Sequence, residues 1–499
     1  MNTFMMVLNL IGALGIFLYG LKVMSEGLQK AAGPRLRDIL AKATDNRFMG
    51  TFSGFVVTCC VQSSSATTVM VVGFCSAGLM TLYQSLGVIF GANIGTTTTA
   101  WLISLLGFKV KIANFAVPLI GIGFFSQFIK KWRTPHRVGE ALVGFGLLFL
   151  GLSILKETIP DVKDAPQLLD IISRFSPETI PGMAYAIFAG FAMTVVVQSS
   201  SASMAITLTA AAKGLIDFPT AAALVIGQNI GTTTTAVLAA IGAPLTARRA
   251  ALAHFLFNVI GVVPAIIFFR YFLAGADALL PGDPYAAGVA GMLAIPTHLA
   301  LFHTAFNVVN TALFLPFARQ FERLIIYLMP EDVSRERKEH DLLYMTTPFA
   351  ATPELEITAA QKEVDRMAGV TVRMIGWIKE GLKATNKDLP AIAEKIRKDE
   401  RTTDILEHKI NEYLAQLIHG HLSTPASKET LSLLSMINDL ERIGDHGETI
   451  ARLLLRARDE DVDISQGARA DLLEMARAVD TLLRATQVLI LEREPDPMP

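Results

Sequence analysis

The stretch Val61-Gln62-Ser63-Ser64-Ser65-Ala66 returns later in the chain as Val197-Gln198-Ser199-Ser200-Ser201-Ala202, and the fold turns on how this pair is read. Each copy sits in the middle of a long apolar segment, 48–80 and 184–216, in which Lys213 is the only charge. As a single helix each segment would be about 50 Å long at roughly 1.5 Å per residue. A bilayer's hydrocarbon core is only about 30 Å thick. Excess length and a polar centre are both accommodated by two half-helices that enter and leave by one face and meet at a polar tip.

The copies extend outward from the tip. Residues 54–102 align without a gap on 190–238, at a constant offset of 136, with 21 of 49 positions identical. The identities cluster at Gly54-Phe55 with Gly190-Phe191, at the two Gln-Ser-Ser-Ser blocks, and at Asn93-Ile94-Gly95 plus four threonines with Asn229-Ile230-Gly231 plus four. Ordinary spans of about 20 apolar residues are expected at 4–24, 84–106, 110–129, 138–156, 220–242, 250–273 and 297–318. Residues 4–21 lack a preceding basic stretch, and Lys22 and Glu26 follow where a cleavage site would want small residues, so they read as a retained first span.

Charge supports this layout. The first 330 residues hold 21 Lys/Arg and 13 Asp/Glu, whereas residues 331–499 hold 23 and 32. The overall charge of −1 therefore hides a sparsely charged, slightly basic part and an acidic, water-soluble one. That division excludes a single soluble globule and a nucleic-acid binder with a strongly basic face. Cys59, Cys60 and Cys75 all lie in apolar sequence, which excludes a disulfide scaffold. Basic residues mark cytoplasmic loops. With 48–80 re-entrant, the basic segments 22–48 and 130–137 fall on one side, together with Arg248, Arg249, Arg319 and Arg323, while the acidic 157–183 falls on the other. Lys109 and Lys111 dissent. The expectation is an all-α polytopic membrane protein with seven crossings, the N-terminus outside and the C-terminus in the cytoplasm. Each repeat, about 1–130 and 138–273, has three crossings plus a hairpin, and three is odd, so the second repeat is inverted. A final helix, 297–318, closes the domain 1–330. Inverted repeats with broken helices meeting near the midplane are the plan of secondary transporters.

The polar blocks have a chemistry to match. A helix N-terminus offers N–H groups and partial positive charge, which suits an oxyanion. Serine hydroxyls add donors to an oxyanion and lone pairs to a cation. Gln, Asn and Thr oxygens make a neutral, hard-oxygen cage of the kind sodium takes, and the glycine of Asn-Ile-Gly-Thr is read as letting the helix unwind. A lone Ser triplet or Thr run in a membrane helix is more often back-bonded or packed against a neighbour; finding both twice in register reverses that judgement. No Gly-x-Ser-x-Gly elbow accompanies the serines, so no enzymatic nucleophile is expected. His254/Asn258 and His303/Asn307, each at i, i+4, are read as helix-packing pairs.

Two Gln-Ser-Ser-Ser blocks, each followed by Gly-x-Asn-Ile-Gly-Thr, resemble the type II sodium/phosphate cotransporter family over about residues 1–320. The resemblance implies sodium-coupled transport of inorganic phosphate across the cytoplasmic membrane, with the multi-pass domain embedded in lipid. It implies a phosphate site of Gln62, Ser63, Ser64, Ser65, Gln198, Ser199, Ser200 and Ser201. It implies sodium ligands among Thr67, Asn93, Thr96, Thr97, Asn229, Thr232 and Ser203. An outward-running phosphate valve and a membrane-anchored phosphate sensor are the rival readings.

Beyond the linker 331–350, the domain 351–499 shows charged helices of period 3.6 at about 355–385, 388–419, 427–458 and 466–492. Arg335 to His340 and Thr346-Thr347-Pro348 mark the linker. Asn438 to His446 resembles the signature helix of the PhoU family, which implies a cytoplasmic regulatory bundle. Glu400/Asp404 and Glu441/Asp445, at i, i+4, place two carboxylates on each of two helix faces; they are read either as a divalent-metal site or as solvated acidic faces. A second copy of the chain or a cytoplasmic regulatory protein completes the expected partners.

Overall fold

The computed structural model describes residues 3–32, 46–109, 113–128, 133–159, 175–331, 353–384, 387–418, 424–462 and 464–492, with 39, 341, 342, 344 and 345. Among these residues every regular element is helical. The linker residues Arg335 to His340 and Thr346-Thr347-Pro348 lie outside them. The chain divides into two compact units, one made of 1–75, 80–241 and 245–330 and one containing 331–499.

The first unit opens with α1 (Thr3–Ala32), followed by α2 (Arg47–Val61) and α3 (Ser64–Ser76). Helix α4 (Leu82–Leu102) then runs into a π-helical turn, Ile103–Lys109, and α5 (Ala113–Ser126) and α6 (Arg133–Thr158) complete the first half. The second half repeats α2, α3 and α4 as α7 (Ile180–Val197), α8 (Ser200–Ala212) and α9 (Phe218–Ala239). Helices α10 (Leu245–Ile267), α11 (Phe269–Leu279), α12 (Val289–Phe314) and α13 (Ala318–Leu328) follow.

Glycines explain why the repeated helices pack as they do. A Cβ at Gly54 would stand 2.1 Å from the Val88 carbonyl oxygen, and one at its counterpart Gly190 would stand 2.0 Å from that of Leu224. At Gly91 and Gly227 the same test gives 1.8 Å to the carbonyl oxygens of Thr51 and Ile187. Close backbone approach is how helices associate in lipid, where water expulsion offers no drive. The first arm of each hairpin is thus pressed against the helix that follows the hairpin, and the matching glycines of the two sequences are the matching contacts. Gly20, Gly144 and Gly151 bring α1 and α6 together by the same device.

Among the described residues seven helices are long and apolar enough to cross a membrane, and six of them fall on spans the sequence suggests. Of the expected span 110–129, residues 110–112 and 129 lie outside the described residues, and the rest contains α5, 14 residues with Pro118 inside, or about 21 Å of helix. The seventh is α7, 18 residues long, which falls in the segment expected to be re-entrant. The span 250–273 is interrupted: Phe268, at φ −100° and ψ 18°, separates α10 from α11 four residues after Pro264. The span 297–318 starts earlier, at Val289, and ends in a 3-10 turn, Leu315–Phe317, that holds Pro316.

The second unit consists of α14 (Pro353–Gly381), α15 (Leu389–Ile418), α16 (Thr424–Asp459) and α17 (Gln466–Glu492). Their apolar faces meet in one core that includes Ile396, Leu406, Ile410, Leu414 and Ile437. One ion pair with a buried carboxylate orders it. Arg373 donates to Asp399 at 2.6 and 3.0 Å, and Trp377 Nε1 donates to the same carboxylate at 3.1 Å.

Candidate functional site

Both hairpin segments break where the sequence places their polar blocks, and they break in the same way. Helix α2 ends at Gln62 with φ 55° and ψ 25°; α7 ends at Gln198 with φ 56° and ψ 23°. A left-handed conformation costs a residue with a side chain about 1–2 kcal/mol. Gln62, Gln198 and Asp461 are the only non-glycine residues with positive φ among those described. The left-handed residue turns its N–H back to the carbonyl of Thr58 (2.7 Å) or Thr194 (2.8 Å), closing the first arm. The next serine opens the second arm as its cap: Ser63 Oγ accepts from Ala66 N at 3.1 Å and Ser199 Oγ accepts from Ala202 N at 3.2 Å. These two hydroxyls therefore secure helix starts. The first-turn N–H groups of α3 and α8, at Ser64, Ser65, Ser200 and Ser201, have no intrahelical acceptor by construction.

The side chains around the two tips differ. Gln62 is buried and fastened on both sides: its amide donates to Cys59 O (2.6 Å) and Thr98 Oγ (3.3 Å), and its oxygen accepts from Thr99 Oγ (3.1 Å). Gln198 is exposed, donates to Val195 O at 2.5 Å, and has no comparable tie to α9. The arms are also joined differently. Thr58 Oγ donates to Thr67 Oγ at 2.9 Å, and Thr67 Oγ to Ser63 O at 3.1 Å. At the equivalent positions, the buried hydroxyls of Thr194 and Ser203 have no hydrogen-bond partner.

The threonine runs correct one expectation. Helices α4 and α9 pass through Asn-Ile-Gly-Thr without unwinding. Thr96, Thr97 and Thr98 donate to the carbonyls of Ala92, Ile94 and Gly95, and Thr232, Thr233 and Thr235 behave alike, so the helix satisfies these hydroxyls itself. Gly95 and Gly231 serve a close approach instead, each with its missing Cβ 2.6 Å from the Cβ of Thr58 or Thr194. Asn93 Nδ2 returns to Ile89 O. Asn229 Nδ2 returns to Val225 O at 3.1 Å, while its oxygen accepts from Asn307 Nδ2 and faces His303 Nε2, both at 3.4 Å. His303 and Asn307, read from sequence as a packing pair, thus join α12 to a predicted site residue. For His254/Asn258 the structure shows the local bond from Asn258 Nδ2 to His254 O.

Sequence reasoning passed over Gln228, His298 and Asn310. Gln228 is buried, donates to Thr207 at 2.7 Å and leaves its oxygen unpartnered; its counterpart in the first repeat is Ala92, so comparing the repeats gave no signal. His298 and Asn310 also keep unpartnered buried atoms. Isolated polar residues in apolar helices were the one available clue.

In the second unit, Glu400 and Glu441 are held above the usual carboxylate range. Burial is the first cause for both, followed by Glu448, Asp404 and Asp445 around Glu400 and by Asp445, Glu407 and Asp404 around Glu441. The four carboxylates read from sequence therefore share one acidic region between α15 and α16. Among the described residues, however, no group of three or more His, Cys, Asp or Glu side chains is placed to hold a metal ion.

Duplicated polar breaks among apolar helices, joined in one chain to a helical bundle, define a multi-pass membrane transporter with an attached helical domain. The sequence model for the Na+/Pi-cotransporter matches residues 16–157 and 168–278, half of the chain, and that for the PhoU domain matches 364–454. The chain belongs to the Na+/Pi-cotransporter family, whose members are transporters rather than enzymes. A Salmonella typhimurium protein named "Putative inorganic phosphate export protein YjbB" is 28% identical over 462 residues, covering 91% of this chain and 79% of its own. "Uncharacterized protein YqeW" of Bacillus subtilis is 30% identical over 318 residues, 63% of this chain and 95% of its own. The sodium-dependent phosphate transport protein 2A of Rattus norvegicus is 30% identical over 169 residues, 33% of this chain and 26% of its own. No solved structure matches the chain at a significant level.

Proposed function

We propose that the chain moves inorganic phosphate across the cytoplasmic membrane in a sodium-coupled cycle, and that its PhoU-like unit regulates the flux from the cytoplasm. The observation that carries this reading is the left-handed break repeated at Gln62 and Gln198. Each break leaves a helix N-terminus beside serines in an apolar surrounding, and unpaired N–H groups with partial positive charge attract an oxyanion. Phosphate is assigned to the Ser64, Ser65, Ser200 and Ser201 turns, with Gln62, Gln198, Ser63 and Ser199 shaping them. Sodium is assigned to neutral oxygens behind the tips, on Thr67, Asn93, Thr96, Thr97, Asn229, Thr232 and Ser203. The N-terminus is assigned to the outside and the second unit to the cytoplasm. Phosphate flux into proteoliposomes that ignored an imposed sodium gradient would remove the coupling. Flux unchanged by Ser200→Ala with Ser201→Ala would remove the site.

Net export is a second reading. The relative that spans both units of this chain carries export in its name, whereas the sodium-dependent relative covers a third of it. Comparing right-side-out with everted vesicles under one sodium gradient separates export from uptake.

A further inference from the structure

Helix α13 packs one side firmly on protein and leaves most of the remainder exposed. Ala318, Phe321 and Ile325 are buried, with the Phe321 ring 5.0 Å from Phe314 and 6.2 Å from Phe90. Phe317, Leu324 and Leu328 fall within about 40° of one another around the helix at 3.6 residues per turn, Tyr327 adjoins them, and all four are exposed. The third side carries Arg319 and Arg323, both exposed, with the half-buried Glu322 between them and the Arg319 guanidinium 5.7 Å from the Tyr83 ring centroid; Arg248 is exposed at the start of the neighbouring α10, so cations outnumber the one carboxylate three to one. Arg249 fixes this arrangement by donating to the carbonyl of Met329 at 3.0 Å.

A helix with one face on protein, one apolar face open and one exposed side of net positive charge suits the boundary between acyl chains and headgroups. We propose that α13 lies on the bilayer surface and binds anionic phospholipid headgroups through Arg319, Arg323 and Arg248, with Phe317, Leu324, Tyr327 and Leu328 at the acyl boundary. Charge complementarity selects the occupant: an anionic leaflet rewards cations at its surface, and a zwitterionic one does so far less. The contact also reaches the first hairpin. Arg47, the first residue of α2, donates to the carbonyls of Leu315 (3.1 Å) and Pro316 (3.0 Å), in the turn from which α13 departs.

The full-length protein in nanodiscs, with phosphatidylcholine alone or mixed with phosphatidylglycerol, tests the proposal without any transport measurement. Retention of phosphatidylglycerol, read by native mass spectrometry, is expected to fall about five-fold for each arginine changed to glutamine, the equivalent of about 1 kcal/mol each. Lysine at the same positions is expected to preserve it, and these variants keep the test valid if the glutamine variants fold poorly. Spin labels on Leu324→Cys and Leu328→Cys are expected to meet lipid-dissolved oxygen, and one on Ile326→Cys, on the cationic side, a water-soluble relaxant. Glutamine variants that retain the lipid fully, or labels at 324 and 328 that are open to water, would overturn the proposal. Absent phosphate flux would leave it untouched and count only against the transport reading.

Discussion

Alanine at Gln62 and alanine at Gln198 are expected to have different consequences although the two residues share a motif and a backbone conformation. Alanine is as strained as glutamine in the left-handed region, so the cost of about 1–2 kcal/mol per residue cancels from the comparison. The side chains do not cancel. Gln62 makes three bonds, at 2.6, 3.1 and 3.3 Å, and all are lost in Gln62→Ala. At a net value of about 1 kcal/mol each, with the longest counted at half, the loss is about 2–3 kcal/mol, and Thr99 Oγ is left buried without its acceptor. Gln198 makes one bond from an exposed position, so Gln198→Ala costs about 1 kcal/mol or less. Unfolding titrations of the purified protein should therefore rank Gln62→Ala below Gln198→Ala by about 2 kcal/mol. Hydrogen exchange should quicken across 62–76 in the first variant and stay near the parent rate across 198–212 in the second. Phosphate flux should fall in Gln198→Ala in spite of its retained stability. Equal losses of stability would refute the claim that the two tips are held differently.

Other outcomes follow from the packing and from the second unit. Gly91→Ala and Gly227→Ala each drive a methyl to 1.8 Å from a backbone oxygen and should cost about 1–3 kcal/mol in melting experiments. Gly121→Ala, with nothing within 4 Å, is the matched control and should be close to neutral. Arg373→Ala strips Asp399, 4% exposed, of its cation. Because the arginine side chain is 41% exposed, the expected cost is nearer about 2 kcal/mol than the roughly 3–5 of a fully buried pair, and Arg373→Lys should recover part of it. The pH dependence has a definite sign. Glu400 and Glu441 are raised in the folded state, so their protonation favours folding, and their contribution to stability grows as pH falls through their folded values. Asp480, lowered first by its bond to Lys379, acts oppositely: it adds stability above its unfolded value and loses it as pH falls. Glu441→Gln should therefore raise the melting temperature at neutral pH and narrow the gain seen on mild acidification.

The repeat was legible because polarity in lipid is expensive. Gln-Ser-Ser-Ser in an uncharged 33-residue segment had to be a break, and the offset of 136 placed its partner. The four helices of the second unit were legible for the opposite reason, since a 3.6-residue alternation in water reports which face is buried. The Asn-Ile-Gly-Thr block misled because a glycine before four hydroxyls suits two structures. It can end a helix, or it can let a neighbour approach while the hydroxyls bond back along an unbroken one. Only the position of Thr58 and Thr194 against Gly95 and Gly231 chooses between them, and that is a tertiary fact. The break between α10 and α11 escaped for a related reason. A hydropathy window registers apolar length, whereas the break at Phe268 is one of backbone direction.

The unpartnered buried atoms carry an energetic argument of their own. Eleven lie in the first unit, on Thr68, Thr194, Ser203, Gln228, His254, Asn258, His298, His303, Asn307 and Asn310, with both ring nitrogens of His254 counted. Left unmet, each would cost about 1–3 kcal/mol. Together that is about 11–33 kcal/mol, against the roughly 5–15 kcal/mol by which a folded chain is stable at all. Water or ligands therefore offset a large part of that cost when the protein works in its membrane. Water meets them equally in any salt; ligands do not. If ions of the transported kind supply part of the deficit, sodium with phosphate should stabilise the protein by about 2.7 kcal/mol at one hundred times the dissociation constant, relative to potassium with sulfate. The thermal shift should shrink in Ser203→Ala and in Thr194→Val, which remove the two hydroxyls that the first repeat pairs and the second leaves open. A melting temperature blind to the exchange of both ions would assign these atoms to water alone.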